Sequence, residues 1–141
     1  VLARELNAAV WDGLAAGSRD PVLDGALVDM AHASLHHWRM AGGPVEAARG
    51  EWLVSHVYAV LGRGEPALHH ARRSYEICVA EGFGDFDLAY AYEGMARALA
   101  SLGADAEDWK SRAAEAGAAI ADDEDRSIFQ GDFAAEPWYG A

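Results

Sequence analysis

The sequence predicts an all-α protein of six or seven antiparallel helices. Three observations carry that expectation. Apolar residues recur at helical spacing along most of the 141 residues. No stretch shows the strict alternation or β-branched run of a strand. The two clearest helix–glycine stops, Leu61-Gly62 and Leu102-Gly103, lie 41 residues apart, and Gly17 precedes Gly62 by 45. Three helical hairpins at this period suggest a short solenoid, with a plain helical bundle as the alternative.

The first helix is expected over 2–16, with Leu2, Leu6, Ala9, Val10, Gly13 and Leu14 in step and Gly17-Ser18 as its stop. Asp20-Pro21 opens the second, Asp20 as N-cap and Pro21 at N1. It runs to about Met40 on a stripe of Leu23, Leu27, Ala31, Leu35 and Trp38, then meets Ala41-Gly42-Gly43 and Pro44. The third, 45–61, is apolar on most sides and therefore central. The fourth, 65–81, has Pro66 in its first turn and Leu68, Ala71, Tyr75, Cys78 and Val79 on one face. Gly82-Phe83-Gly84 breaks the chain, and Asp85 is placed to cap a fifth helix to about Leu102. That helix has one stripe of Leu88, Tyr92, Met95, Leu99 and Leu102, and another of Phe86, Tyr90, Glu93 and Arg97. A sixth helix, from Asp105 to about Ala121, turns Trp109, Ala113, Ala116 and Ile120 inward. The acidic run Asp122–Asp125 suits the start of a short seventh helix, 123–134, docked by Ile128, Phe129 and Phe133. One domain is expected over 1–135, and 136–141 reads as a tail.

Composition narrows the functional classes. Apolar residues make up 52%, enough for a real core. The net charge of −12, from 11 basic and 23 acidic residues, opposes binding to phosphate backbones, so nucleic acid is not an expected partner. No apolar run reaches membrane-spanning length. Cys78 is the only cysteine, which fits a reducing cytoplasm. The richness in Ala, Gly, Arg and Asp is that of a GC-rich bacterial genome.

The unit Glu51–Glu81 has two helices joined by a tight turn. Anchored on Gly62, Ser55 is its small-residue position, Tyr58 its aromatic position, and Ala67, Ala71 and Ser74 the small positions of the second helix. This unit resembles a tetratricopeptide repeat. The resemblance covers roughly 47–121: Tyr92, Met95, Ala96 and Leu99 fit the next first helix, whereas Trp109 is shifted by about one residue. The period exceeds the usual 34, and the family's Trp position falls on Glu51, with Trp52 beside it. The resemblance implies a right-handed solenoid whose first helices line a concave groove for a protein or peptide. It would be lined by Arg49, Trp52, His56 and Ala59 from the middle unit, and Tyr90, Glu93, Arg97 and Ala100 from the third. By outline alone the first unit adds Arg4, Asn7, Trp11 and Leu14. Trp52 and Tyr90 would anchor apolar groups, and Arg49 and Arg97 would take a carboxylate. Burial of these aromatics as plain core is the competing expectation, and Glu93 with Arg97 also reads as a solvated i,i+4 ion pair.

Two other readings stay open. His32 and His36, at i,i+4 on one helix, could share a divalent transition metal, making a small metal protein or enzyme, although no metal motif surrounds them. No other cofactor is expected, and Cys78 lacks the surroundings of a nucleophile. The groove could also be filled by a second copy of the chain in a homo-oligomer.

Overall fold

The computed structural model describes residues 2–16 and 19–141, and they form seven helices: α1 Leu2–Leu14, α2 Pro21–Ala41, α3 Pro44–Val60, α4 Gly64–Glu81, α5 Asp85–Ser101, α6 Glu107–Ala118 and α7 Asp123–Ala134. The Gly17-Ser18 stop and the Leu2 side chain lie outside the described residues. Among those residues no helix is long and apolar enough to cross a membrane.

Each helix packs on its neighbours in sequence; α3 also lies against α5, and α5 against α7. Central placement of α3 follows from its all-round apolar surface: Trp52, Leu53, Val54 and Val57 are all buried. The local signals act as the sequence suggests at several ends. Asp20 accepts from the Leu23 N–H at 2.8 Å with Pro21 at N1, and Asp122 accepts from the Asp125 N–H at 2.9 Å. Gly62 and Gly103 adopt φ of 75° and 71°. After each, an N–H reaches back five residues, Arg63 to the Tyr58 carbonyl and Ala104 to that of Leu99. This left-handed stop suits a residue without Cβ and returns the chain against the helix it has left.

Small residues let α3 and α4 close on each other. Ser55 Oγ donates to the Ala67 carbonyl at 2.7 Å and Ser74 Oγ to that of Ala48 at 2.9 Å. As the α3 number falls the α4 number rises, so the two run antiparallel. Ala67 is fully buried at this crossing. Ala67→Leu is expected to overpack it and cost about 1–3 kcal/mol. A melting temperature equal to the parent's would show that the crossing has room.

Four elements differ from the sequence reading. The cap of α5 is Gly84; Asp85 is the first helical residue, at φ 52°, and its carboxylate accepts the N–H groups of Phe86 and Ala121. α6 ends at Ala118, yet Ile120 is buried in the turn beyond it. Val79, Leu102 and Ile128, expected on packing faces, keep 59%, 41% and 48% of their surface exposed. Residues 136–141 are not a free tail. Trp138 is buried against Ala96, Ala100 and Ala106, its Nε1 donates to the Phe133 carbonyl at 2.9 Å, and the Tyr139 hydroxyl reaches the carbonyls of Ala59 and Val60. Six residues with a proline carry no periodicity from which such docking could be read.

Candidate functional site

One side of the helix array holds an open cavity of about 420 Å³. Asn7 and Trp11 of α1 line one wall; Ala48, Arg49, Trp52 and Leu53 of α3 form the floor with Ser74 of α4. Phe86, Asp87 and Tyr90 of α5 and Ile128 and Asp132 of α7 complete it. Helices α3 and α5 run parallel here: Arg49 reaches Asp87, and Trp52 reaches Tyr90 and Glu93. The close approach needs Gly94, where a Cβ would stand 3.0 Å from the Trp52 ring.

Aromatic rings set the shape. Trp11 stacks near Trp52 at 5.9 Å between centroids, and Trp52 meets Tyr90 edge-on at 4.8 Å. Tyr90 in turn contacts Phe86 and Phe129, each at 4.8 Å. The polar groups are few. Arg49 holds Asp87 through both oxygens, at 2.8 and 3.3 Å, and its guanidinium lies 5.8 Å from the Phe86 ring. The Asp87 hydrogen bond, working against burial, raises the Arg49 pKa. The Tyr90 hydroxyl donates to Asp132 at 2.6 Å, and burial with that bond pushes its pKa up, so it stays a neutral donor. The ionic groups of the lining are thus one arginine and two carboxylates, Asp87 and Asp132.

Beneath the cavity lies a buried polar chain. Trp52 Nε1 donates to Glu93 Oε1 at 2.9 Å, and Glu93 Oε2 accepts from Arg97 Nε at 2.6 Å. The rest of the Arg97 head is spent on the C-terminal segment. Nη1 donates to the carbonyls of Ala135 and Pro137, each at 2.9 Å, and Nη2 to that of Asp132 at 3.0 Å. The Trp138 ring lies 4.1 Å from its centre. Arg97 is only 1% exposed and Glu93 is fully buried.

These facts sort the expected site residues. Asn7, Trp11, Arg49, Trp52 and Tyr90 do meet in one cavity. Glu93 and Arg97 do not line it: their ion pair is internal, and the chain's own carbonyls occupy the guanidinium expected to take a ligand carboxylate. His56 is buried against both the Trp11 and Trp52 rings, with Nδ1 lacking a hydrogen-bond partner. Burial, and secondarily the charge of Arg97, lowers its pKa to about 3. Arg4 is exposed, outside the lining. Asp87 and Asp132 are the site residues that periodicity could not reveal, since each matters through a partner about 40 positions away.

The two histidines of the α2 pair sit in different surroundings. His32 Nε2 shares a hydrogen bond of 2.9 Å with the Tyr58 hydroxyl, and its pKa is lowered, first by burial and then by His70. His36 is exposed with its ring against His37. Among the described residues no three His, Cys, Asp or Glu side chains are grouped so as to hold an ion. Burial pushes the Cys78 thiol up to about 11, leaving it protonated and unreactive at neutral pH.

No family model matches the chain, and neither a curated protein nor a solved structure shows significant similarity to it.

Proposed function

We propose that the chain is a protein- or peptide-binding module of the tetratricopeptide-like kind, with the cavity between α1, α3, α5 and α7 as its groove. The observation that carries this reading is the convergence of Trp11, Trp52, Phe86 and Tyr90, from three helices, on one open cavity. Rigid aromatic surface bordered by a few directed polar groups is the make-up of binding hot spots. The repeat reading is supported by the parallel run of α3 and α5 at an offset near 41 residues and by the identical stops at Gly62 and Gly103.

The ligand is an extended or helical segment that offers an apolar or aromatic side chain beside a lysine or arginine. An acidic ligand loses its support, because Arg97 is spent internally and Arg49 is neutralised by Asp87. Asp132, which accepts from the Tyr90 hydroxyl, shares the cavity with four aromatic side chains, a setting that favours a cation through charge and ring quadrupoles. The overall charge of −12 steers in the same direction.

Selection from a random displayed peptide library tests this. Sequences pairing an aromatic or large aliphatic residue with Lys or Arg should be enriched. Ile128 lines the groove while 48% exposed, so Ile128→Arg leaves the fold intact. That variant should bind the selected peptides about tenfold or more weakly, a difference of about 1.4 kcal/mol. Enrichment of acidic sequences, or unchanged binding by the folded variant, overturns the reading. Concentration-dependent sedimentation of the parent, abolished in Ile128→Arg, would make the occupant a second copy of the chain.

A further inference from the structure

The groove lining is richer in aromatic rings than in acceptors for a cation with N–H groups. Arg49 offsets one of the two lining carboxylates, Asp87, and Asp132 leaves the wall with one formal negative charge. The Glu93–Arg97 pair beneath is neutral as a unit. The wall therefore matches a monovalent cation. Its carboxylate oxygens are mostly engaged. Both oxygens of Asp87 take Arg49, at 2.8 and 3.3 Å, and Oδ2 of Asp132 takes the Tyr90 hydroxyl at 2.6 Å. At most one of these oxygens, Oδ1 of Asp132, is not already engaged.

A lysine ammonium brings three N–H donors and a strongly held shell of water. Each donor that leaves water without finding an acceptor weakens binding. A quaternary ammonium carries the same charge on methyl groups. It needs no acceptor, and the negative faces of aromatic rings attract it. Trp11, Trp52, Phe86 and Tyr90 bring such rings to the cavity from three helices. Trp11 and Phe86, from α1 and α5, are only half-buried, so each keeps surface for a ligand. The cavity of about 420 Å³ has room for a trimethylammonium head and part of the chain that bears it.

Building on the groove reading above, we propose that the cation-binding part of the cavity is a subsite for a quaternary ammonium group, formed by Trp11, Trp52, Phe86, Tyr90 and Asp132. Asp132 supplies the counter-charge, and the Tyr90 hydroxyl holds its carboxylate in place. The group is the head of a small molecule of the choline type or the side chain of a trimethylated lysine in a bound peptide. Both present the same trimethylammonium.

Thermal melting with choline chloride as the probe, at pH 7 and constant ionic strength, is the test. Ethanolamine hydrochloride has the charge of choline but keeps its N–H groups, and the uncharged carbon isostere of choline has its shape alone. Choline should raise the melting temperature saturably, and the other two should bind about tenfold or more weakly. Ile128→Arg sets a positive charge in the groove and should weaken choline by about tenfold or more as well. The library-selected peptides, made with lysine and with trimethyllysine, identify the source. Tighter binding of the trimethyllysine form, by about threefold or more, assigns the group to a peptide. Equal binding of the two forms, beside saturable choline, assigns it to a free small molecule. No saturable effect of choline, equal binding by ethanolamine or the isostere, or choline binding undiminished in Ile128→Arg overturns the subsite. Those results leave the groove reading standing if Ile128→Arg still weakens the selected peptides; peptides indifferent to that variant overturn the groove itself.

Discussion

Arg97→Ala should lower the unfolding free energy by about 3–5 kcal/mol and set the C-terminal segment free. The magnitude follows from what remains after the change. Glu93 would be left without exposure to water and with only the Trp52 N–H as partner. The carbonyls of Asp132, Ala135 and Pro137 would lose their donor, and Trp138 its cation. Urea unfolding measures the stability, and Trp138 fluorescence with limited proteolysis after residue 134 reads the release. Glu93→Gln combined with Arg97→Met separates the ion pair from the segment. Gln still accepts from Trp52 and leaves no buried charge, so the double variant should recover a large part of the loss. If Arg97→Ala alone melts like the parent, the guanidinium is not what holds 135–139.

Acid should destabilise the fold from about pH 6.5 downward, well above the carboxylate range, and His56 is the main cause. Its folded pKa is about 3, set mainly by burial and then by Arg97, whereas the unfolded chain has the ordinary value near 6.5. Between these values the unfolded state holds one proton more than the folded state. Stability therefore rises with pH across that window, is fully present above about 6.5, and falls by about 1.4 kcal/mol for each pH unit below it. His32, also lowered, acts in the same sense. Glu51 adds to the loss only in the carboxylate range, as pH falls through its depressed pKa. Replacing His56 with Phe keeps a flat ring against Trp11 and Trp52 and removes a buried nitrogen that has no partner. The variant should lie within about 1.5 kcal/mol of the parent at pH 7. Its stability between pH 6 and 4.5 should fall less steeply by about one proton. Chemical unfolding at a series of pH values checks this, and an unaltered slope would assign the acid sensitivity to other groups.

The two effects meet at one place, since the charge of Arg97 is among the causes that lower the His56 pKa. The floor of the groove is thus a buried layer in which a charged pair, a neutral imidazole and two indoles depend on one another. A ligand seated on Trp11, Trp52 and Tyr90 rests on side chains already fixed from below, which limits the ordering cost of binding.

How much of this the sequence determined by itself differs element by element. The positions of α2, α3, α4 and α7 were set locally, because a cap, a proline at a first turn or a left-handed glycine acts within a few residues of chain. So was the crossing of Ser55 with Ala67, since small residues at helical spacing leave only one face on which two helices can close. The aromatic lining, Trp11 with Trp52 and Tyr90, was legible through the repeat offset. Charge could not be assigned in the same way. Glu93 and Arg97 look the same at i,i+4 whether they face water or the interior. What turned them inward was the return of Asp132–Trp138 across α5, contacts separated by 35 to 40 positions. The same holds for Glu51, whose partners come from α2 and α4, and for Asp87 and Asp132, which give the groove its sign. Periodicity reports which face of a helix is apolar; only the packed tertiary structure decides which charges meet, which are buried, and which are left for a ligand.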